Sequence, residues 1–168
     1  MTGQPPAGAV AHEEPLDALV VASDVLGPLT VARAELLQFP HGLYGFPECR
    51  TWVLVPTKRD GLFWLQSADH APLAFLLVDP FTHFPGYAVD LSPAELARVG
   101  TNEPSEIVVL AVVTVGSRDG APPTANLQGP VILNMRARHG HQIVLSVEGW
   151  GVREPFTIEA NQETSSAA

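Results

Sequence analysis

The segment Ile107-Val108-Val109-Leu110-Ala111-Val112-Val113 is apolar at every position and rich in β-branched residues. A strand with one wet face would alternate, so an unbroken run of this length predicts a strand covered on both sides. Leu73-Ala74-Phe75-Leu76-Leu77-Val78 reads the same way. Working outward, shorter runs recur between turn residues near Asp17 to Ala22, Thr51 to Pro56, Leu62 to Gln66, Tyr87 to Leu91, Val131 to Met135 and Gln142 to Val147; the Ile107 run extends to Val115. About eight strands separated by Gly- and Pro-bearing turns describe a closed or sandwiched all-β domain, here expected as one small barrel-like unit. Tyr87-Ala88-Val89-Asp90-Leu91 alternates, as a half-exposed strand would.

One helix is well marked, at about 92–99. Ser92 stands as N-cap, Pro93 at the first helical position and Glu95 where a capping box needs it, and Gly100 supplies the stop. A weaker helical turn is expected from Ala32 to Leu37. The 14 glycines and 16 prolines argue against a helical bundle, since each inside a helix costs roughly 1 to 3 kcal/mol.

With 168 residues the chain suits one domain. A 46% apolar content, 16% charged residues and a mean hydropathy of +0.15 place it among globular proteins. Residues 1–15 and 159–168 read as disordered tails around a domain at 16–158. The formal charge of -9 argues against direct nucleic-acid binding and suits a basic or a neutral partner. Six of those nine negative charges lie in residues 1–38 and 159–168. The single cysteine, Cys49, excludes an internal disulfide, and with neither a basic n-region nor a long apolar run the expectation is a cytoplasmic protein without a membrane segment.

Chemistry-bearing motifs are sparse. No phosphate-binding G-x-x-x-x-G-K-[ST] loop is present, Glu154 interrupts the nearest G-x-G-x-x-G, and Gly116 to Gly120 reads as a polar turn rather than a nucleophile elbow. His139-Gly140-His141, beside Arg136 and Arg138, reads as an exposed basic hairpin rather than a metal site, and His41, His70 and His83 read as loop histidines. Cys49 reads as filler. No catalytic residue, metal ligand or cofactor site is expected, which points to a binding protein.

The informative stretch is Phe39-Pro40-His41-Gly42-Leu43-Tyr44-Gly45-Phe46-Pro47, three aromatics interleaved with two glycines and two prolines. That composition describes a rigid loop anchored by large side chains, which either plugs the core or anchors an interface. Trp64-Leu65-Gln66-Ser67, Asp79-Pro80-Phe81 and the run from Ala125 to Asn134 each set a polar group in apolar surroundings. Amides and acids so placed commonly satisfy backbone groups at strand ends.

Together these residues resemble the flagellar assembly factor FliW family. An F-P-x-G-L-x-G-F pattern is matched at Phe39, Pro40, Gly42, Leu43, Gly45 and Phe46, followed in order by Trp64 to Ser67, Ala74 to Phe81, Tyr87, Thr114-Val115, Asn126-Leu127 with Pro130, Asn134, and Gln142 to Leu145. The match is collinear from about residue 17 to 157. The Gly/Pro-rich N-terminus, the long turn from Ser117 to Thr124 and a basic complement with Lys58 as its one lysine depart from the pattern.

The resemblance implies a non-enzymatic, barrel-like protein that binds two partners. One is CsrA, a basic RNA-binding dimer and translational regulator, which the family inhibits away from its RNA-contacting surface. The other is flagellin, which takes up FliW when it accumulates and so frees CsrA to repress flagellin mRNA. Candidate partner-binding residues are Phe39, Leu43, Tyr44, Phe46, Trp64, Gln66, Asp79, Asn126 and Asn134. The rival reading is a small-molecule-binding barrel or enzyme with a pocket around Trp64, Asp79, Asn126 and His83.

Overall fold

The computed structural model describes residues 17–116, 119–145 and 148–158. Its strands are β1 (Ala18–Val21), β2 (Leu29–Ala32), β3 (Leu37–Gln38), β4 (Thr51–Pro56), β5 (Leu62–Ser67), β6 (Ala74–Val78), β7 (Ile107–Thr114), β8 (Thr124–Ala125), β9 (Val131–Asn134), β10 (His139–Gln142) and β11 (Glu154–Pro155). Two short helices are α1 (Pro80–His83) and α2 (Pro93–Arg98). Strands β1 and β2 form a separate hairpin, and the others form one sheet in the order β11-β8-β7-β6-β5-β4-β3-β10-β9. An added pairing of β9 with β7 closes seven of them into a barrel.

Register shows which side chains fill it. Leu37 pairs with Trp52, Leu54 with Leu65, Leu65 with Phe75, Leu77 with Val112, and Leu110 with Val131, so these side chains share the inner face. Leu37, Trp52, Leu65, Leu77, Leu110, Val131 and Leu133 form one buried cluster with Phe39, Leu43 and Cys49. A barrel of seven strands is narrow enough for its lumen to be filled by side chains.

The apolar runs that predicted covering on both faces have it over most of their length, Val108 at the start of β7 being 39% exposed. Leu110 and Val112 of β7 point into the barrel, while Val109, Ala111 and Val113 pack outside against Phe84, Tyr87, Val99, Leu127, Ile143 and Phe156. The outer layer comes from the crossover 79–106, from Leu127 between β8 and β9, and from the segments after β10. The β1–β2 hairpin covers Val53 and Val55 of β4 with Val21 and Val31.

Several expectations are corrected. Tyr87 to Leu91 is not a strand. Its alternation is real, with Tyr87, Val89 and Leu91 packed on the outer layer, but periodicity reports one apolar contact face and not a hydrogen-bonding neighbour. The weaker helical turn expected from Ala32 to Leu37 is present, shortened to the 3-10 turn Arg33–Glu35 between β2 and β3. The strand expected from Gln142 begins at His139 and ends at Gln142, with residues 146 and 147 outside the described ones. The hairpin turn therefore lies earlier, at Met135 to Arg138, where Arg138 adopts a φ of 59°. Gly140 looked like a turn signal, yet it sits within a strand because the Phe39 ring occupies the space beside it: a Cβ there would lie 2.2 Å from Phe39 Cζ. Strands β3, β8 and β11, of two residues each, are too short for periodicity to mark, and β2 and α1 are further elements not among those expected from sequence. The expected tails, and Ser117 and Arg118 of the long turn, fall outside the described residues.

The capped helix stands as read. Ser92 Oγ accepts from the Glu95 N–H at 3.2 Å while Glu95 Oε2 accepts from the Ser92 N–H at 2.8 Å, and Gly100 follows at φ 80°. Its partner α1 is capped by Asp79, whose Oδ1 accepts from the Phe81 N–H at 3.0 Å.

Candidate functional site

The loop 39–47 closes the end of the barrel at which β3 and β10 finish. It is held from within. The Phe39 N–H donates to Arg50 O at 2.7 Å, the Gly42 N–H to Phe39 O at 2.8 Å and the Phe46 N–H to Leu43 O at 2.8 Å, which makes a tight reversal. Gly42 is obligatory there: its φ is 62°, and a Cβ would come within 2.3 Å of Phe46 O, a backbone atom that cannot swing away.

Phe39 and Leu43 point inward, at 0% and 3% exposure, and Phe39 meets Trp52 edge-on at 6.2 Å. Phe46 meets Phe75 edge-on at 5.6 Å while half-buried. Edge-to-face pairs of this kind add roughly 0.5 to 1.5 kcal/mol each beyond area burial. Tyr44 is turned outward and is 63% exposed. Its backbone N–H donates to Gln142 Oε1 at 2.9 Å, and Gln142 Nε2 in turn donates to Gly129 O at 2.9 Å. The loop is thus core plug and presented surface at once, which the residue pattern left open.

Beside it lies a cleft of about 420 Å³, walled by His41, Tyr44 and Pro47 from the loop, Arg98 from α2, and His141 and Gln142 from β10. Arg98 Nη1 lies 3.2 Å from His141 Nε2. A guanidinium only donates, so the His141 Nε2 accepts, and the ring is neutral with its proton on Nδ1. Burial, then the nearby Arg98 charge, then His41 hold His141 below its ordinary value of 6.5, with Glu95 opposing. His41 meets His141 edge-on at 5.7 Å. From sequence, His41 reads as a loop histidine and His141 as part of an exposed hairpin, and nothing singles out Arg98. The only available signal was the i, i+2 spacing of His139 and His141, which places both on one strand face once β10 is known.

The remaining expected site residues are spread over the barrel. Gln66 is fully buried, accepts from Ser23 Oγ at 2.6 Å and donates through Nε2 to Ser67 O at 3.0 Å and to Ala71 O and Leu73 O at 3.2 Å, so it ties the β1–β2 hairpin to the β5–β6 turn. Asn134, 2% exposed, donates to Val99 O at 2.8 Å and accepts from the Arg136 and Ala137 N–H groups, each at 3.1 Å. Asn126 Oδ1 accepts from the Gln128 N–H at 3.1 Å and the Gly129 N–H at 3.0 Å. These amides do what the sequence reading expected of buried amides, satisfying backbone at turns and strand ends. Trp64 pairs with Val55 and Leu76 on the half-buried outer face of β5, and Asp79 caps α1. His83 Nδ1 lies 3.3 Å from Asp79 O and its ring meets Phe156 edge-on at 5.2 Å. Trp64, Asp79, Asn126 and His83 therefore each have a local structural partner, and none lines the cleft described above.

Among the described residues, three metal-ligating atoms approach one another at Glu48, Cys49 and His70, within 4.8 Å. Cys49 belongs to the barrel core, and burial followed by the Glu48 charge pushes its thiol up, away from the thiolate a metal or a nucleophile needs.

The class defined by this geometry is a filled β-barrel with one end stoppered by a rigid loop, which presents an aromatic side chain beside a shallow cleft that holds Arg98. The family model described as FliW protein matches residues 20–156, and the chain belongs to that family. It is similar to the flagellar assembly factor FliW of Treponema denticola, 31% identical over 141 residues covering 84% of this chain and 95% of the relative. The corresponding protein of Moorella thermoacetica is 36% identical over 147 residues, covering 87% and 93%. A crystal structure of the flagellar assembly factor FliW superposes with a TM-score of 0.76 at 26% identity, over 84% of this chain and 99% of that one. No helix among the described residues is long and apolar enough to cross a membrane.

Proposed function

We propose that this flagellar assembly factor acts by protein binding rather than catalysis, in the cytoplasm. It inhibits CsrA when free and is taken up by flagellin when flagellin accumulates, so that flagellin translation follows export. The observation that carries the reading is the loop Phe39–Pro47. Its inner side chains and Gln142 fix its backbone, so the exposed Tyr44 is presented at little entropic cost on binding. Aromatic residues on rigid supports are the usual energetic centres of interfaces. The net charge of -9 would steer a basic partner such as CsrA.

The test is immobilised chain against purified CsrA and flagellin from the same source. Binding of both is expected, with competition between them and a CsrA on-rate that falls as salt rises; binding to neither refutes the reading, and a salt-independent on-rate removes its electrostatic part. Tyr44→Ala should weaken binding with the fold intact, because its side chain is mostly in solvent. Phe46→Ala is the contrasting variant: its ring packs on Phe75, so lost stability accompanies any lost binding.

A further inference from the structure

The cleft between the loop and α2 has a chemistry unlike the rest of this acidic chain. Its cationic member, Arg98, uses Nη1 on the neutral His141, and no carboxylate of the described residues pairs with it. A guanidinium carries five N–H donors, so most of its capacity is open, and its fork matches a carboxylate bidentately. Two imidazoles, His41 and His141, stand beside it, and the exposed Tyr44 borders the same cleft. The walls are preformed. Gly42 and Gly45, at φ 62° and 89°, set the loop, Gln142 clamps Tyr44, and the capping box sets α2. At about 420 Å³ the cleft suits one or two side chains rather than a globular face.

We infer that this cleft is a carboxylate-binding subsite that receives an acidic side chain from a peptide segment of a protein partner, with Arg98 as the anion clamp and Tyr44 packing on the same segment. The inference rests on the reading of the loop as a partner-facing surface. It adds a polarity that the net charge conceals: a partner steered here by its basic surface also offers a carboxylate to this cationic recess. The two effects coexist because at physiological salt a net charge is screened over about 8 Å, whereas a pair in direct contact is screened much less.

The test is a ¹⁵N–¹H correlation titration of the full chain with the blocked peptide acetyl-Glu-Asp-Glu-amide. Its uncharged counterpart acetyl-Gln-Asn-Gln-amide and inorganic phosphate serve as comparison probes. Saturable shifts confined to Gly42 to Gly45, Arg98 and His141 are expected with the acidic peptide and not with the neutral one. Arg98→Gln should weaken the interaction at least tenfold with the remaining spectrum unchanged, and Arg98→Lys should restore it only in part. No saturable shift, an equal response to the neutral peptide, or full retention in Arg98→Gln overturns the inference. A response to phosphate equal to that of the acidic peptide marks an unspecific anion site and also overturns it. Partner capture that survives while the peptide fails sinks the subsite alone; peptide binding with no capture of CsrA or flagellin sinks the functional reading and leaves the subsite standing.

Discussion

Gly140→Ala isolates the contact on which the loop's seating depends. Gly140 has ordinary backbone geometry within β10, so adding a methyl group there introduces no φ strain. By removing freedom from the unfolded chain, such a change would stabilise by about 0.4 to 1 kcal/mol if space allowed. Space does not allow it. The new Cβ would sit 2.2, 2.4 and 2.7 Å from three atoms of the Phe39 ring, so the ring edge must retreat by about 1.2 Å to reach an ordinary contact of 3.4 Å. Phe39 has no exposed surface and is braced by Trp52 at 6.2 Å. Overpacking in so closed a setting costs about 1 to 3 kcal/mol, which outweighs the entropic gain. A net loss of about 1 to 2 kcal/mol follows, or a fall in Tm of roughly 2 to 4 °C for each kcal/mol in a chain of this size. Urea unfolding followed by tryptophan fluorescence reads it directly, since Trp52 touches the displaced ring. In the Phe39→Leu background the same glycine substitution should become neutral or stabilising, a coupling within the range of about 0.5 to 3 kcal/mol found for touching residues. A stable Gly140→Ala single variant, or strict additivity of the two changes, would refute the packing account and with it the reason given for the seating of the loop.

Three further outcomes are expected. Tyr87 donates its hydroxyl to Leu127 O at 2.8 Å beneath the outer layer, and burial raises its pKa to about 12; Tyr87→Phe strands that carbonyl and should cost about 1 to 3 kcal/mol in denaturant unfolding, with an unchanged midpoint counting against the bond. Gln66→Leu removes the acceptor for Ser23 and the donor shared by the β5–β6 turn, so it should destabilise by a similar amount and speed amide exchange in the β1–β2 hairpin first; uniform exchange across the barrel would show that Gln66 does not tie that hairpin down. Because the folded pKa of His141 lies below 6.5, the unfolded chain binds the proton more readily, and stability should fall as pH drops from 6.5 to the depressed native value and level off below it. That slope should be shallower in His141→Asn, and identical slopes in the two proteins would contradict the neutral His141 drawn from its bond to Arg98.

Much of this protein is legible without coordinates, for reasons the individual elements make plain. The two-sided apolar runs of β6 and β7 announce central strands because burial on both faces leaves no position for a polar residue. The Ser92-Pro93-Ala94-Glu95 signature announces α2 because its capping bonds join residues within one turn. The amides Asn126 and Asn134 and the acid Asp79 were legible for the same reason, each bonding a backbone group two or three residues away. These are local interactions, so local sequence carries them.

What needed the fold is non-local. Barrel closure depends on β7 meeting β9 across the intervening chain of residues 115–130, and no periodicity encodes which strands become neighbours. Gly140 carries the appearance of a turn residue until Phe39, one hundred positions earlier, is seen to fill the space a side chain would need. Gln66 appears as an interface candidate until Ser23 and three turn carbonyls are found around it. The basic cleft is the clearest instance: His41, Arg98 and His141 come from a loop, a helix and a strand that share no sequence pattern. Composition and local bonding thus determined the class, and the ordered motifs carried the resemblance to the family; only the closed barrel, by bringing β3, β10 and α2 to one end, decided which side chains line the cleft together.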